Sequence, residues 1–195
     1  MTRFFDIVFS FFGIILLSPL FLIIYFLIII ESKGGGFYLQ KRVGIHGKDF
    51  DLYKFRSMAK GSDKKGLITI GGNDSRITKM GLFIRKYKID ELPQLFNVFA
   101  GDMSLVGPRP EVRKYVDLYN KEQLEVLKVR PGITDYASIE FANENEILGS
   151  VSNPEKVYIE EIMPAKIQLN MKYIKNSDLS EYFKIIFLTF SKIIR

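Results

Sequence analysis

The sequence predicts an α+β fold: a mostly helical single domain with a short β-hairpin, an N-terminal re-entrant membrane helix, and amphipathic helices in the membrane plane. Three observations predict it. An apolar run fills Phe4 to Ile30, two short strand-like segments flank residues 43 to 48, and much of the remainder repeats its apolar residues at helical spacing. With the run set aside, roughly 160 residues remain, enough for one compact core. The expected division is 1–32, a membrane helix-break-helix, and 33–195, a cytoplasmic domain.

At ~1.5 Å per residue, the Phe4–Ile30 helix is long enough to cross a hydrocarbon core of ~30 Å. It is too long for a signal peptide, and Ser32-Lys33-Gly34 offers no small-x-small cleavage site. Ser18-Pro19 sits in its middle. Proline lacks the N–H that would bond the carbonyl four residues back, its ring kinks the helix, and Ser18 can bond a freed carbonyl instead. Arg3 precedes the run and Lys33, Lys41 and Arg42 follow it, so the positive-inside rule puts its C-terminal side in the cytoplasm and only weakly exports the N-terminus. A hairpin that enters and leaves on one side is the expectation, and a kinked single span the alternative. Asp6, the only acid in the run, is expected to pair with Arg3 at the interface.

Gly34-Gly35-Gly36 separates this piece from the rest. Residues 37–42 and 50–55 read as the two strands of a hairpin around Val43–Lys48. The polar stretch from Ala59 to Gly72 reads as an exposed loop. Asp74-Ser75 is expected to cap a helix through Ile77, Met80, Phe83, Ile84 and Tyr87. Pro93 suits the first turn of a further helix that ends near Gly101, which leaves Asp90 and Glu91 at a helix junction. Val112 to Val129 reads as one amphipathic helix stopped by Arg130-Pro131-Gly132. From Glu181 to Arg195, Lys184, Lys192 and Arg195 oppose Phe183, Ile186, Phe187, Phe190, Ile193 and Ile194; an in-plane membrane helix and a core helix fit that pattern equally.

Composition narrows the chemistry. There is no Cys and one His, His46, which excludes disulfides, thiolate nucleophiles and multi-histidine metal sites. A net charge of +6 favours anionic partners: a bilayer with anionic lipids, phosphorylated substrates or nucleic acid. The basic residues are not interleaved with aromatics along one face, so no nucleic-acid partner is expected. Asp90-Glu91 then stands out. Lys54, Arg56, Arg85 and Arg109 lie in segments otherwise rich in apolar residues and turns, and Gly107-Pro108-Arg109-Pro110 holds a guanidinium on a stiff backbone suited to gripping phosphate. Carboxylates beside fixed cations are the kit for phosphoryl chemistry: the acids hold Mg²⁺ or attack phosphorus, and the cations neutralise charge. Surface ion pairing is the alternative for the same residues.

The run Lys88-Ile89-Asp90-Glu91-Leu92-Pro93-Gln94-Leu95-Phe96-Asn97-Val98, followed by Gly101-Asp102-Met103-Ser104-Leu105-Val106-Gly107-Pro108-Arg109-Pro110, resembles the signature of the bacterial sugar transferases, the monotopic phosphoglycosyl transferases. Ser18-Pro19, residues 40–44, residues 53–58 and residues 129–134 extend the resemblance in the family's order. It implies transfer of a sugar 1-phosphate from a UDP-sugar to polyprenyl phosphate, in particular undecaprenyl phosphate. This is the first membrane step in assembling a capsule, O-antigen, exopolysaccharide or glycoprotein glycan. Asp90 would attack the β-phosphorus to give an aspartyl sugar-phosphate and UMP, and Glu91 would assist through Mg²⁺ or the acceptor phosphate. Lys54, Arg85 and Arg109 would contact phosphate and carboxylate groups, Asp90 and Glu91 would hold Mg²⁺, and Ser18 and Pro19 would break the membrane helix. The implied location is the cytoplasmic face of the bacterial inner membrane, with a homodimer left open. The resemblance weakens after Thr134, where Asp135 to Leu148 depart from many relatives and lack an expected arginine, and the chain reads as the short, catalytic-core form. A non-catalytic anchored module and a hydrolase that passes the phosphosugar to water are the competing functions.

Overall fold

The computed structural model describes residues 2–62 and 74–194. A long helix, α1 (Thr2–Glu31), leads into the hairpin β1 (Phe37–Val43) and β2 (Asp49–Phe55), then α2 (Lys79–Lys86), α3 (Gln94–Ala100) and β3 (Ser104–Val106). The second half holds α4 (Arg113–Val116), β4 (Gly132–Thr134), α5 (Tyr136–Glu140), α6 (Glu144–Gly149), α7 (Pro154–Val157), α8 (Met163–Lys175) and α9 (Leu179–Ile194). The mostly helical α+β reading holds. The hairpin pairs antiparallel with Phe37 opposite Phe55 and Val43 opposite Asp49, and its turn closes through His46 (φ 57) and Gly47 (φ 72). What the sequence reading lacked is a second, parallel pair, with Ser104 against Gly132 and Val106 against Thr134. Three-residue strands show too little alternation to read, and the close approach needs glycine: a Cβ on Gly132 would lie 2.1 Å from the Gly107 nitrogen.

Two helix expectations need correction. α2 begins at Lys79 because Thr78, not Asp74 or Ser75, caps it, its hydroxyl accepting from Gly81 N at 2.9 Å, while Asp74 is taken up by Arg76. The span from Val112 to Val129 is not one helix but α4 and a 3₁₀ segment, Gln123–Lys128. Asn120 and Gln123 exchange side-chain bonds with each other's backbone N–H at 2.9 Å, starting a new helical segment where a continuous helix was expected. Of the expected loop from Ala59 to Gly72, residues 63–72 lie outside the described residues, as do Arg195 and the side chains of Ile193 and Ile194.

α1 is helical from Thr2 to Glu31 with Pro19 inside it. The carbonyl left without its usual donor by Pro19, that of Ile15, accepts from Ser18 Oγ at 2.8 Å instead. Asp6, Ser10, Phe21, Ile24 and Ile28 form a buried stripe at helical spacing. Around the rest of α1, large apolar side chains are exposed, Leu16 and Ile30 each to 79%.

Both ends of α1 are bonded to the same domain. At the start, Arg3 donates to the carbonyls of Val98 (2.5 Å) and Phe99 (3.0 Å), where α3 leaves carbonyls unpaired. Asp6 is therefore not Arg3's partner; its Oδ1 accepts from Ser104 Oγ (2.9 Å), Leu105 N (2.9 Å) and Tyr182 OH (2.8 Å). At the far end, Glu31 accepts from Lys79 N (2.8 Å) and Met80 N (3.0 Å) at the first turn of α2, and Arg56 donates to the carbonyls of Ser32 and Lys33. Between them, Phe21, Ile24 and Ile28 share a core with Phe55 and Ile84. A separate cluster, with Tyr115, Leu148, Tyr158 and Ile167 among its members, fills the second half.

α9 has one face in the core and one exposed apolar face. Tyr182 and Ile185 are fully buried against Val106 and Tyr173, whereas Phe187 (75%) and Phe190 (61%) are exposed. Phe183 bridges the two helices, its ring centroid 5.0 Å from that of Phe5 and 6.3 Å from that of Phe9. The exposed apolar faces of α1 and α9 are thus continuous.

Candidate active site

Asp90 and Glu91 sit in a single 3₁₀ turn, Ile89–Glu91, held between α2 and α3. Lys88 before it takes a left-handed φ of 57°, and Pro93 after it starts α3, so the junction expected from the sequence is a tight corner. Asn97 fastens that corner to the hairpin: it is fully buried, accepts from Tyr53 N at 2.9 Å and donates to the Asp51 carbonyl at 2.8 Å. Lys54, next along β2, is thereby directed at Glu91.

Glu91 is gripped by two cations. Arg109 meets it with both terminal nitrogens, Nη1 to Oε2 at 3.0 Å and Nη2 to Oε1, while Lys54 Nζ reaches Oε1 at 3.3 Å. The Arg109 backbone is itself fixed, its N–H donating at 3.0 Å to Asp135, a wholly buried acid that also caps α5 through Ser138 N. Burial alone would raise the Glu91 pKa, but the Arg109 and Lys54 charges outweigh it and hold the carboxyl well below its usual range. Lys54 responds the other way: burial brings its ammonium down to about 8 despite the pull of Glu91.

Asp90 is the contrasting partner. It is 7% exposed and accepts no hydrogen bond from the described residues. Burial first, and the Glu91 charge second, raise its pKa, with Lys54 and Arg85 pulling against them. Arg85, half-buried in the last turn of α2, thus acts on Asp90 by its charge and forms no bond to it. Of the predicted residues, Asp90, Glu91, Lys54 and Arg109 come together in direct contact or sequence neighbourhood, Arg85 stands at their edge, and Arg56 is spent on the end of α1. Ser18 and Pro19 lie elsewhere, exposed on α1.

Two adjacent acids, one ion-paired on both oxygens and one without a hydrogen bond from the described residues, stand beside three cations, an arrangement chemically able to take an anionic, phosphate-bearing group. A family model for bacterial sugar transferases matches residues 1–195. The chain belongs to the bacterial sugar transferase family. It is 40% identical, over 97% of its length, to the UDP-N-acetylgalactosamine-undecaprenyl-phosphate N-acetylgalactosaminephosphotransferase of Aeromonas hydrophila, of which it covers 42%. Against the UDP-glucose:undecaprenyl-phosphate glucose-1-phosphate transferase of Klebsiella pneumoniae the identity is 37%, over 96% of this chain and 38% of that one. An uncharacterized sugar transferase of Bacillus subtilis is 39% identical over 89% of this chain and 78% of its own. The family member described here therefore spans about two fifths of the Aeromonas and Klebsiella proteins.

Sequence reading missed a second polar region on this family member. Arg109 forms one wall of a cavity of about 190 Å³ that Asp90 and Glu91 do not line, enclosed with Arg42, Glu144, Tyr158, Lys166 and Asn170 among others. These residues come from β1, α6, the π-helical turn Tyr158–Ile162 and α8, too scattered for any motif to unite. The π turn, a geometry frequent at functional sites, is visible only in coordinates. Asp135 carried a readable signal, an Asx residue ahead of a short helical run, but nothing in the sequence ties it to Arg109.

Proposed function

We propose that this family member is a transferase that moves a sugar 1-phosphate from a UDP-sugar to polyprenyl phosphate, with undecaprenyl phosphate as the acceptor. UMP leaves, and the step opens the assembly of a cell-surface or protein-linked glycan. The observation that carries the reading is the Asp90–Glu91 corner: one buried carboxylate left without a hydrogen bond beside another fixed by Arg109 and Lys54. An unbonded, poorly hydrated carboxylate is an effective nucleophile.

In the first half-reaction an Asp90 oxygen bonds to the β-phosphorus of the donor. The bond from that phosphorus to the bridging oxygen breaks, and its electron pair departs on UMP. In the second, an oxygen of the polyprenyl phosphate bonds to the same phosphorus and the Asp90 carboxylate is released. Lys54 and Arg109 neutralise the phosphate oxygens as charge shifts, and Arg85 steadies the ionised Asp90. Glu91 sets the position of both cations, the role its three bonds support.

Among the described residues no set of three or more metal-ligating side chains gathers. Mg²⁺ nonetheless takes few protein ligands, one or two carboxylates with substrate phosphates and water completing its shell. Asp90 accepts no bond on either oxygen from the described residues and Glu91 keeps a lone pair on Oε2, so the pair fits that demand, and Mg²⁺ there would neutralise the diphosphate.

The anchoring supports catalysis at the lipid surface. A span would carry one end of α1 across a core of ~30 Å and away from the domain, yet Arg3 and Glu31, at opposite ends, bond the same domain. That supports a membrane piece that enters and leaves on the cytoplasmic face of the inner membrane, with the continuous apolar faces of α1 and α9 in the acyl layer and basic residues at anionic head groups. Such a site meets a water-soluble donor and a lipid-borne phosphate in one plane. Asp90→Asn tests the proposal: turnover should vanish while the melting temperature holds. Rapid quenching with donor labelled in the sugar should leave label on the wild type and none on the variant. UMP release by the variant at the wild-type rate would remove Asp90 from this role.

A further inference from the structure

The cavity beside Arg109 has no part in the steps just described, and its lining is unusual for a core. Asn170 is 5% exposed, yet its Oδ1 has no hydrogen-bond partner among the described residues. Arg42 lines the same space with an unpaired, buried Nε, although its other nitrogens are occupied by Glu111, Pro110 and Gln40. A buried acceptor and a buried donor left unmet are destabilising, and a ligand bearing both donors and acceptors would relieve them. In the same lining, Lys166 Nζ and Glu144 Oε2 face each other at 2.7 Å, a polar pair able to bond hydroxyl groups as donor and as acceptor.

We infer that this cavity, bounded by Arg109, Arg42, Glu144, Tyr158, Lys166 and Asn170, binds the hexose ring of the donor and selects among sugars. The inference rests on the transferase reading above. Size favours one ring: about 190 Å³ is well below the ~300 Å³ at which pockets for whole drug-sized ligands begin. Connectivity favours the sugar ring over the nucleoside. The hexose hangs by a single ester oxygen from the phosphorus that Asp90 attacks, so it must lie next to Arg109, whereas the nucleoside is a phosphate further away. The chemistry agrees. A pyrimidine would call for a free aromatic face, but the Tyr158 ring has Lys166 Nζ over it at 5.7 Å and the Tyr115 ring against it at 5.0 Å, and its hydroxyl is bonded to Glu111. Tyr119, the third tyrosine of the lining, packs against the hydrophobic cluster of the second half; beside it the lining offers hydrogen-bonding groups of both kinds, suited to hydroxyls and to an acetamido substituent.

The test is equilibrium binding of UDP-N-acetylgalactosamine, UDP-glucose and UDP to the full chain in detergent micelles. The wild type should hold at least one of the two sugars more tightly than UDP. Asn170→Ala and Glu144→Gln should each weaken that donor by about tenfold, the loss of one good hydrogen bond, while UDP affinity stays within about twofold. Glu144 is partly exposed, and its isosteric replacement keeps the test decisive should Asn170→Ala fold poorly. Sugar preference unchanged in Glu144→Gln and in a folded Asn170→Ala would overturn the inference, and so would an equal loss for UDP, which would hand the cavity to the nucleoside. UMP release is read separately. A wild type that binds with this preference but releases no UMP would sink the transferase reading and leave the cavity its ligand; one that turns over while the variants match it in preference would do the reverse.

Discussion

Lys54 makes the sharpest prediction about pH. Its ammonium is buried between β2 and the Asp90–Glu91 corner, and burial lowers its pKa from the ordinary 10.5 to about 8. A shift of that size corresponds to about 3 kcal/mol between the charged and neutral forms. The charged form grips Glu91 and, in the proposed reaction, a phosphate oxygen; it predominates below about 8 and is lost as the pH rises through that value. Measured as UMP release at saturating acceptor, kcat/KM should therefore fall above pH 8, because that ratio reports the free enzyme. The fall in kcat should come later, since a bound diphosphate stabilises the ammonium. Lys54→Arg, whose charge does not titrate in this range, should keep whatever activity it has to higher pH. An alkaline limb that is absent up to pH 10, or identical in Lys54→Arg, would refute this account of the site. On the acid side the limb should lie above the ordinary carboxylate range, since the Asp90 pKa is raised, mainly by burial and then by the Glu91 charge, and protonation removes its nucleophilic oxygen.

Arg109→Met should destabilise the protein by up to roughly 3 kcal/mol, because it removes two of the three bonds to a buried carboxylate and leaves it the Lys54 contact, read by urea titration in micelles. Adding Glu91→Gln to the same chain should recover much of that stability without recovering activity. Asp6→Ala removes the shared acceptor of Ser104 Oγ, Leu105 N and Tyr182 OH; a loss of roughly 3 kcal/mol is expected, and an unchanged melting temperature would contradict that bonding pattern. Thr2→Cys should react with a membrane-impermeant maleimide in inside-out vesicles only, and labelling of intact spheroplasts would refute the one-sided insertion of α1.

Much of the local structure was legible because it is written in short-range patterns. Two short strand-like runs around a glycine-bearing turn marked β1 and β2, Pro93 and Gly101 bracketed α3 to within a residue, and Ser18 bonded the carbonyl that Pro19 frees. The acids and two of their cations were legible as residue types, since phosphoryl chemistry demands few others. Where the reading failed, the deciding partner was distant in the chain. Arg56 looked like one of the fixed cations around the acids until the end of α1 claimed it, and Asp6 looked like Arg3's partner until β3 and α9 did.

By itself, the sequence determined that an apolar helix adjoins a basic, cysteine-free domain carrying an Asp-Glu pair, because composition and periodicity need no partner to be read. Only the tertiary structure decided which acid is paired and which accepts no bond from the described residues, that both ends of the apolar helix fasten to one domain, and that several separate segments enclose a polar cavity behind Arg109. Charge, burial and hydrogen bonding at each of these places are set by groups tens of residues apart, and a linear pattern does not encode which of them meet.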